Sequence, residues 1–125
     1  MKLEHIAIAF NSEVDSENFL VNFLEFKKVR EFSVKPDLNE KFFGINKEQK
    51  VIRYENDSLA IEVFITNDKT KSMDLFTHMC IEIQDRDKLV EKAKLMNIQY
   101  IKVPREKEGY YLFLKDSFGN LYEIK

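Results

Sequence analysis

Little in this chain breaks or staples its own structure. Three glycines and two prolines are all it holds, so polar clusters rather than conformational breakers must mark most turns. A single cysteine excludes an internal disulfide and fits a reducing compartment such as the cytoplasm. No run of about eighteen apolar residues occurs, which argues against a membrane-spanning helix. The opening MKLEHIAIAF has no apolar stretch followed by a small-residue cleavage site, so no signal peptide is expected. Neither charge sign dominates: 20 Lys and Arg are interspersed with 22 Asp and Glu, for a net charge of −2. The basic footprint of a nucleic-acid binder is therefore missing. Only two histidines are present, and their positions turn out to be the most informative feature of the chain.

What is present suits a single globular domain. The 125 residues are 44% hydrophobic and 34% charged, too apolar for a disordered chain. Residues 3–10 alternate apolar and small or polar side chains and read as a strand. In NSEVDSENFLVNFLEF (11–26), Phe19, Leu20, Phe23 and Leu24 recur at helical spacing, which predicts a core-facing helix of about three turns capped at Asp15 or Ser16. KVREFSV (28–34) predicts a strand. KPDLNEKFFGINKEQ (35–49) reads as a loop with a short turn near Phe42 and Phe43. KVIRYE (50–55) and SLAIEVFI (58–65) predict a hairpin around Asn56-Asp57.

After the polar, aperiodic TNDKTKSMD (66–74) the order begins again. FTHMCIEI (76–83) predicts a strand. DRDKLVEKAKLM (85–96) predicts a helix with Asp85 as cap, Leu89, Val90, Ala93 and Met96 as apolar stripe, and Asn97 as left-handed stop. QYIKV (99–103) predicts a strand ending at Pro104. YYLFLK (110–115) and NLYEI (120–124) predict two more, joined by DSFG with its Gly119. The expectation is an α+β chain of two βαβββ modules: module one 1–65, linker 66–74, module two 75–125.

The halves also align in detail. HIAIAF matches HMCIEI, and DSLAIEVF resembles GNLYEIK. Each half opens on a strand carrying a histidine, His5 or His78, and closes on one carrying a glutamate, Glu62 or Glu123. Both histidines point away from the more apolar face of their strand. Each glutamate sits between apolar neighbours, where a carboxylate is costly to bury unless paired or bound to a metal. Two imidazoles and two carboxylates suit Zn, Ni, Co, Mn or Fe better than Ca or a thiolate site. Sequence spacing fixes no distance, and surface ion pairs are the alternative use of the same residues.

Over nearly its whole length the chain resembles the vicinal oxygen chelate superfamily, which includes glyoxalase I, bleomycin-resistance proteins, methylmalonyl-CoA epimerase and extradiol dioxygenases. The terminal DSFGNLYEIK is similar to that family's closing hairpin, with Ser117 where proline is common. The resemblance implies two modules forming a cupped mixed sheet around a metal cleft, with the helices outside. It implies metal ligands on the first and last strands of each module, at His5, Glu62, His78 and Glu123. That four-ligand set is closest to glyoxalase I, with one divalent ion, Zn, Ni, Co or Mn. Extradiol and fosfomycin-modifying members use two histidines and one carboxylate, and an extradiol iron needs an open position that Glu62 would fill.

The activity so implied is that of a lyase or isomerase, lactoylglutathione lyase-like, moving a proton next to a carbonyl of a small oxygen-chelating substrate, with Glu123 as base and Glu62 as its partner. The alternative is a non-catalytic dimeric protein of bleomycin-resistance type that sequesters a small molecule. A homodimer is expected in either case, with neither nucleic acid nor membrane as partner. Two positions depart from glyoxalase I: Ala9 stands where those enzymes place an arginine, and Thr66 where they place an asparagine. Both argue against orthodox glutathione recognition. Ala7, Ala9, Ala60 and Phe64 suggest a small, partly apolar cavity. Lys35, Arg53, Arg105 and Lys107 are candidate contacts for an anionic substrate. Cys80 is read as a small buried filler, Glu82 as a cleft or ion-pair residue, and Phe42 and Phe43 as a cover or as core.

Overall fold

The structure is a computed structural model that describes residues 4–70 and 78–125. The chain divides into two compact units, Met1–Thr70 and Lys71–Lys125, each with one four-stranded mixed sheet.

In the first unit β1 (Ile6–Phe10) leads into α1 (Glu13–Ser16), which runs on as π-helical turns over Glu17–Phe23. The cap is Ser12, whose side chain accepts the Asp15 N–H, rather than the expected Asp15 or Ser16. Asp15 instead accepts from the Asn11 and Ser12 side chains, and Ser16 is buried inside the helix, with its hydroxyl 3.0 Å from that of Tyr54. The wider turns show in the Leu24 N–H bonding to the Phe19 carbonyl five residues back. Glu25 then takes a left-handed φ of 65°, and the Phe26 N–H closes on the Leu20 carbonyl, a Schellman-type stop.

β2 (Lys27–Val34), β3 (Gln49–Asn56) and β4 (Leu59–Ile65) complete the sheet in the order β1-β4-β3-β2. β1 lies parallel to β4 and the other pairs are antiparallel. The register sets Ile6, Ile8 and Phe10 beside Ile61, Val63 and Ile65, so period-two alternation builds one apolar face. Phe10, Ile52, Tyr54, Ile61 and Val63 are fully buried there, with Phe19, Leu20 and Phe23 of the helix also buried. Each such aliphatic or Phe side chain contributes about 1.5–3 kcal/mol. The hairpin turns at Asp57-Ser58, one residue beyond the expected Asn56-Asp57, with Asp57 at φ 49°.

The segment expected as a loop holds a helix, α2 (Pro36–Phe43). Pro36 sits at its first turn and Gly44 (φ 73°) stops it, the favoured ends for these two residues. Asn39, buried, fastens it to the following chain by donating to the Lys47 carbonyl.

The second unit repeats the plan. β5 (His78–Ile81), α3 (Arg86–Leu95), β6 (Gln99–Pro104), β7 (Tyr110–Lys115) and β8 (Leu121–Ile124) form a sheet in the order β5-β8-β7-β6, again with the first and last strands parallel. Residues 76 and 77 of the expected strand, and 71–74 of the expected linker, lie outside the described residues. Beyond Ile81 the pairing persists, since Lys125 bonds to Ile81 and Ile83 bonds back to Lys125. Asp85 caps α3 by accepting the Lys88 N–H, and Asn97 is left-handed at φ 54°, both as the sequence implies. Leu89, Val90 and Ala93 are buried. The loop before β8 is organised by buried Asp116, which accepts from the Phe118 and Asn120 N–H groups, the Asn120 amide and the Tyr122 hydroxyl. Among the described residues no helix is long and apolar enough to cross a membrane.

Candidate metal centre

Parallel pairing of the first and last strands brings each histidine to its glutamate. In the first unit Ala7 lies opposite Glu62, and His5, two residues earlier, points its Nε2 at Glu62 Oε2 across 3.5 Å. In the second unit Cys80 lies opposite Glu123, and His78, again two residues earlier, points its Nε2 at Glu123 Oε2 across 3.5 Å. Both imidazoles are partly open, at 36% exposure, while the carboxylates are more sheltered, at 15% and 21%.

The donor chemistry fits a divalent ion. Two donors each about 2.1 Å from one metal, at a tetrahedral angle, stand about 3.4 Å apart. Both pairs have that separation and the N/O composition that Zn, Ni, Co and Mn accept. Within each unit one imidazole nitrogen and one carboxylate oxygen come together, and among the described residues no group of three or more His, Cys, Asp or Glu side chains gathers as a metal cluster.

The surroundings of the pairs differ. Across β3–β4, Arg53 faces Glu62. Its Nη1 lies 3.4 Å from Glu62 Oε1, its Nε 2.7 Å from Glu55, and its Nη2 3.2 Å from Glu4. Those carboxylates, Glu55 foremost, push the guanidinium pKa further up. The residue facing Glu123 across β7–β8 is Phe113, whose ring packs edge-on against His78 at 5.6 Å. The cation beside Glu123 is Lys125, at 3.7 Å and largely exposed.

Several expected participants fall elsewhere. Cys80 is exposed, not a buried filler, because it occupies the open-face position that Ala7 holds in the first unit. Desolvation and then the neighbouring Glu123 carboxylate push its thiol pKa up, against a nucleophilic thiolate. Arg53 is committed to carboxylates. Arg105 stacks on the Tyr111 ring at 4.6 Å, and Lys35, Lys107 and Glu82 are exposed. Thr66 spends its hydroxyl on the Phe10 carbonyl, 2.9 Å away. Phe43 meets Phe64 edge-on at 5.3 Å, while Phe42 and Phe43 remain 64% and 55% exposed. Phe64 shares the Glu62 face of β4, so α2 reaches that face. Sequence reasoning missed α2, the carboxylates around Arg53 and the Phe113–His78 contact. The spacing of Pro36 and Gly44 signals the helix; the other two need the strand register.

The sequence matches no protein-family model and no curated protein. Solved structures match in fold. A glyoxalase family protein from Enterococcus faecalis is 18% identical with a TM-score of 0.73, over 98% of this chain and 95% of that one. The fosfomycin resistance protein FosX from Listeria monocytogenes is 17% identical with a TM-score of 0.73, over 99% and 91%. A glyoxalase family protein from Bacillus cereus is 12% identical with a TM-score of 0.75, over 99% and 92%. The chain therefore has the fold of the vicinal oxygen chelate proteins, two βαβββ units with helices peripheral to the sheets.

Proposed function

We propose that this chain is a metal-dependent enzyme of glyoxalase type, a lyase or isomerase that moves a proton next to a carbonyl on a small substrate presenting two neighbouring oxygens. His5, Glu62, His78 and Glu123 are its ligands for one divalent ion, Zn, Ni, Co or Mn. The observation that carries this reading is the histidine–glutamate pair at 3.5 Å, built twice by the same strand pairing. A bound ion would supply Lewis-acid stabilisation of the oxyanion that forms when the proton leaves. Glu123 takes the proton and returns it, and Glu62 is its partner. A homodimer in the cytoplasm, with modules 1–65 and 75–125 joined by 66–74, completes the proposal.

Two positions argue against orthodox glutathione recognition. Ala9 offers no cation to a glutathione carboxylate, and Thr66 is occupied by the Phe10 carbonyl. The fold neighbours are of more than one kind. They include glyoxalase family proteins and a variant of Listeria FosX in complex with Mn(II) and a dihydroxypropylphosphonic acid.

A second reading, a binding module without chemistry, is favoured by one observation: each carboxylate already has a protein cation beside it, Arg53 for Glu62 and Lys125 for Glu123. Metal content per chain, measured by plasma mass spectrometry on tag-free protein before and after loading with Ni, Co, Zn and Mn, separates the two. One ion per chain, lost in His78→Ala, is the expected result. No stoichiometric ion under any loading leaves the binding module.

A further inference from the structure

Arg53 sits between two unlike neighbours in the sheet register: Arg30 on β2 and Glu62 on β4. Like charges directly opposite one another are unfavourable. The pair is accommodated by sending the two guanidinium groups to different partners. Arg30 lies over the Phe32 ring at 4.5 Å, whereas Arg53 gathers Glu55, Glu4 and Glu62. Arg53 and Glu62 are 16% and 15% exposed, so solvent screens this pair less than an ordinary surface bridge.

The consequence lies in how the Glu62 oxygens are divided. Oε1 is taken by Arg53, and Oε2 faces His5. The matching place opposite Glu123 on β7 holds Phe113, which offers no hydrogen bond; the Cys80 thiol lies opposite on β5, and the Lys125 ammonium stands 3.7 Å from Oε1, beyond hydrogen-bond reach. We infer that Arg53 is a positioning residue that holds Glu62 Oε1, so that Glu62 offers a divalent ion one oxygen only and stays in place while Glu123 moves the proton. This inference rests on the metal reading above and deepens it. It assigns unequal roles to two glutamates that the repeat makes look equivalent, and it gives the charged row Arg30–Arg53–Glu62 a purpose beyond stability.

The test uses the full chain and Co(II) alone, followed by calorimetry and by visible absorption, in wild type, Arg53→Met and Arg53→Lys. Removing a cation that competes for Glu62 tightens Co(II) binding by about fivefold or more in Arg53→Met. Freeing Oε1 lets Glu62 bind through both oxygens, so the Co(II) absorption band weakens as the coordination number rises. Arg53→Lys keeps the charge and restores an affinity near wild type, but without the planar fork it leaves the band altered. Unchanged or weaker Co(II) binding in Arg53→Met, with only the melting temperature lowered, overturns the inference and leaves Arg53 a structural ion pair while the metal reading stands. If Arg53→Met does not fold, the band of Arg53→Lys decides alone, and a band identical to wild type overturns the inference. Absence of Co(II) binding in wild type overturns both.

Discussion

The two halves of this chain carry the same histidine–glutamate pair in different settings. Around Glu62 the sheet is charged: Arg53 stands opposite, with Glu55 and Glu4 completing its shell. Around Glu123 the setting carries less charge: Phe113 faces it on β7, the Cys80 thiol on β5, and the exposed Lys125 lies 3.7 Å away. A carboxylate fixed by a guanidinium is suited to staying where it is. One beside a phenyl ring and an exposed ammonium at 3.7 Å is less constrained. Duplication supplies the pair, and the residue facing each glutamate on the neighbouring strand supplies the difference.

Exchanging each glutamate for its neutral isostere breaks this comparison most severely. Glu123→Gln should fold, keep Co(II) binding within a few-fold of wild type, and lose turnover of 2-oxo thioesters or hemithioacetals by about 10²–10⁴-fold, the scale of a lost general base. Glu62→Gln should show the opposite balance, with the larger loss in metal affinity. Turnover unchanged in Glu123→Gln would remove it from the mechanism. Equal profiles for the two variants would mean that Arg53 and Phe113 make no functional difference.

The sequence made the pair visible because strand alternation and internal repetition are local signals. His5 and His78 each open a period-two run, and Glu62 and Glu123 each close one. The helix ends at Asp85 and Asn97 were legible for the same reason: a cap is chemistry within four residues. What was not legible depends on register or on competition. Ser12, not Asp15 or Ser16, caps the first helix, and the Ser16 hydroxyl instead reaches Tyr54, 38 residues away. Helix α2 was hidden by polar residues that weaken its apolar stripe, although Pro36 and Gly44 mark its ends. Cys80 was misjudged because cysteine is commonly buried, whereas its alternation with Met79 and Ile81 already placed it on the histidine side. Nothing within a single strand announces that Arg53 faces Glu62 or that Phe113 faces Glu123.

A second contrast concerns the buried tyrosines. Tyr54 in the first unit is satisfied by the neutral Ser16 hydroxyl, and Tyr122 in the second by the Asp116 carboxyl. Asp116→Asn should destabilise by about 1–3 kcal/mol, because an amide nitrogen replaces one oxygen that accepts two donors. Ser16→Ala should cost about 1–2 kcal/mol, because the hydroxyl both donates to the Glu13 carbonyl and pairs with the buried Tyr54 hydroxyl. The pH dependence separates them further. Burial outweighs the four donors and raises the Asp116 pKa above the usual carboxylate range. A carboxyl shifted up binds its proton more tightly folded than unfolded. Its contribution is therefore full below the unfolded value of about 3.9 and is lost as pH rises through the folded value. Urea melts across that window should show the wild-type advantage over Asp116→Asn shrinking with rising pH, while the Ser16→Ala difference stays flat. An advantage that grows with pH would mean the hydrogen bonds, not burial, set the Asp116 pKa.

The smallest effect is expected on the outer surface of the first unit, where Glu13, Glu17 and Glu31 interleave with Lys28 and Lys50. Hydrogen bonds from Lys28 and then Lys50 hold the Glu13 carboxyl below its ordinary value. The second unit has a sparser counterpart in Asp87, which accepts from Lys102 and the Tyr110 hydroxyl. Side chains this open to water gain little from pairing, so Glu13→Gln should cost less than about 1 kcal/mol. Its pKa is depressed, so whatever it contributes is present above the unfolded value and fades as pH falls through the folded one. The difference between Glu13→Gln and wild type should also vanish near 1 M salt, where screening acts over about 3 Å. A difference that persists in salt would place the role of Glu13 in the first turn of α1, where the helix dipole favours an acid, and would turn a surface network into a local helix effect.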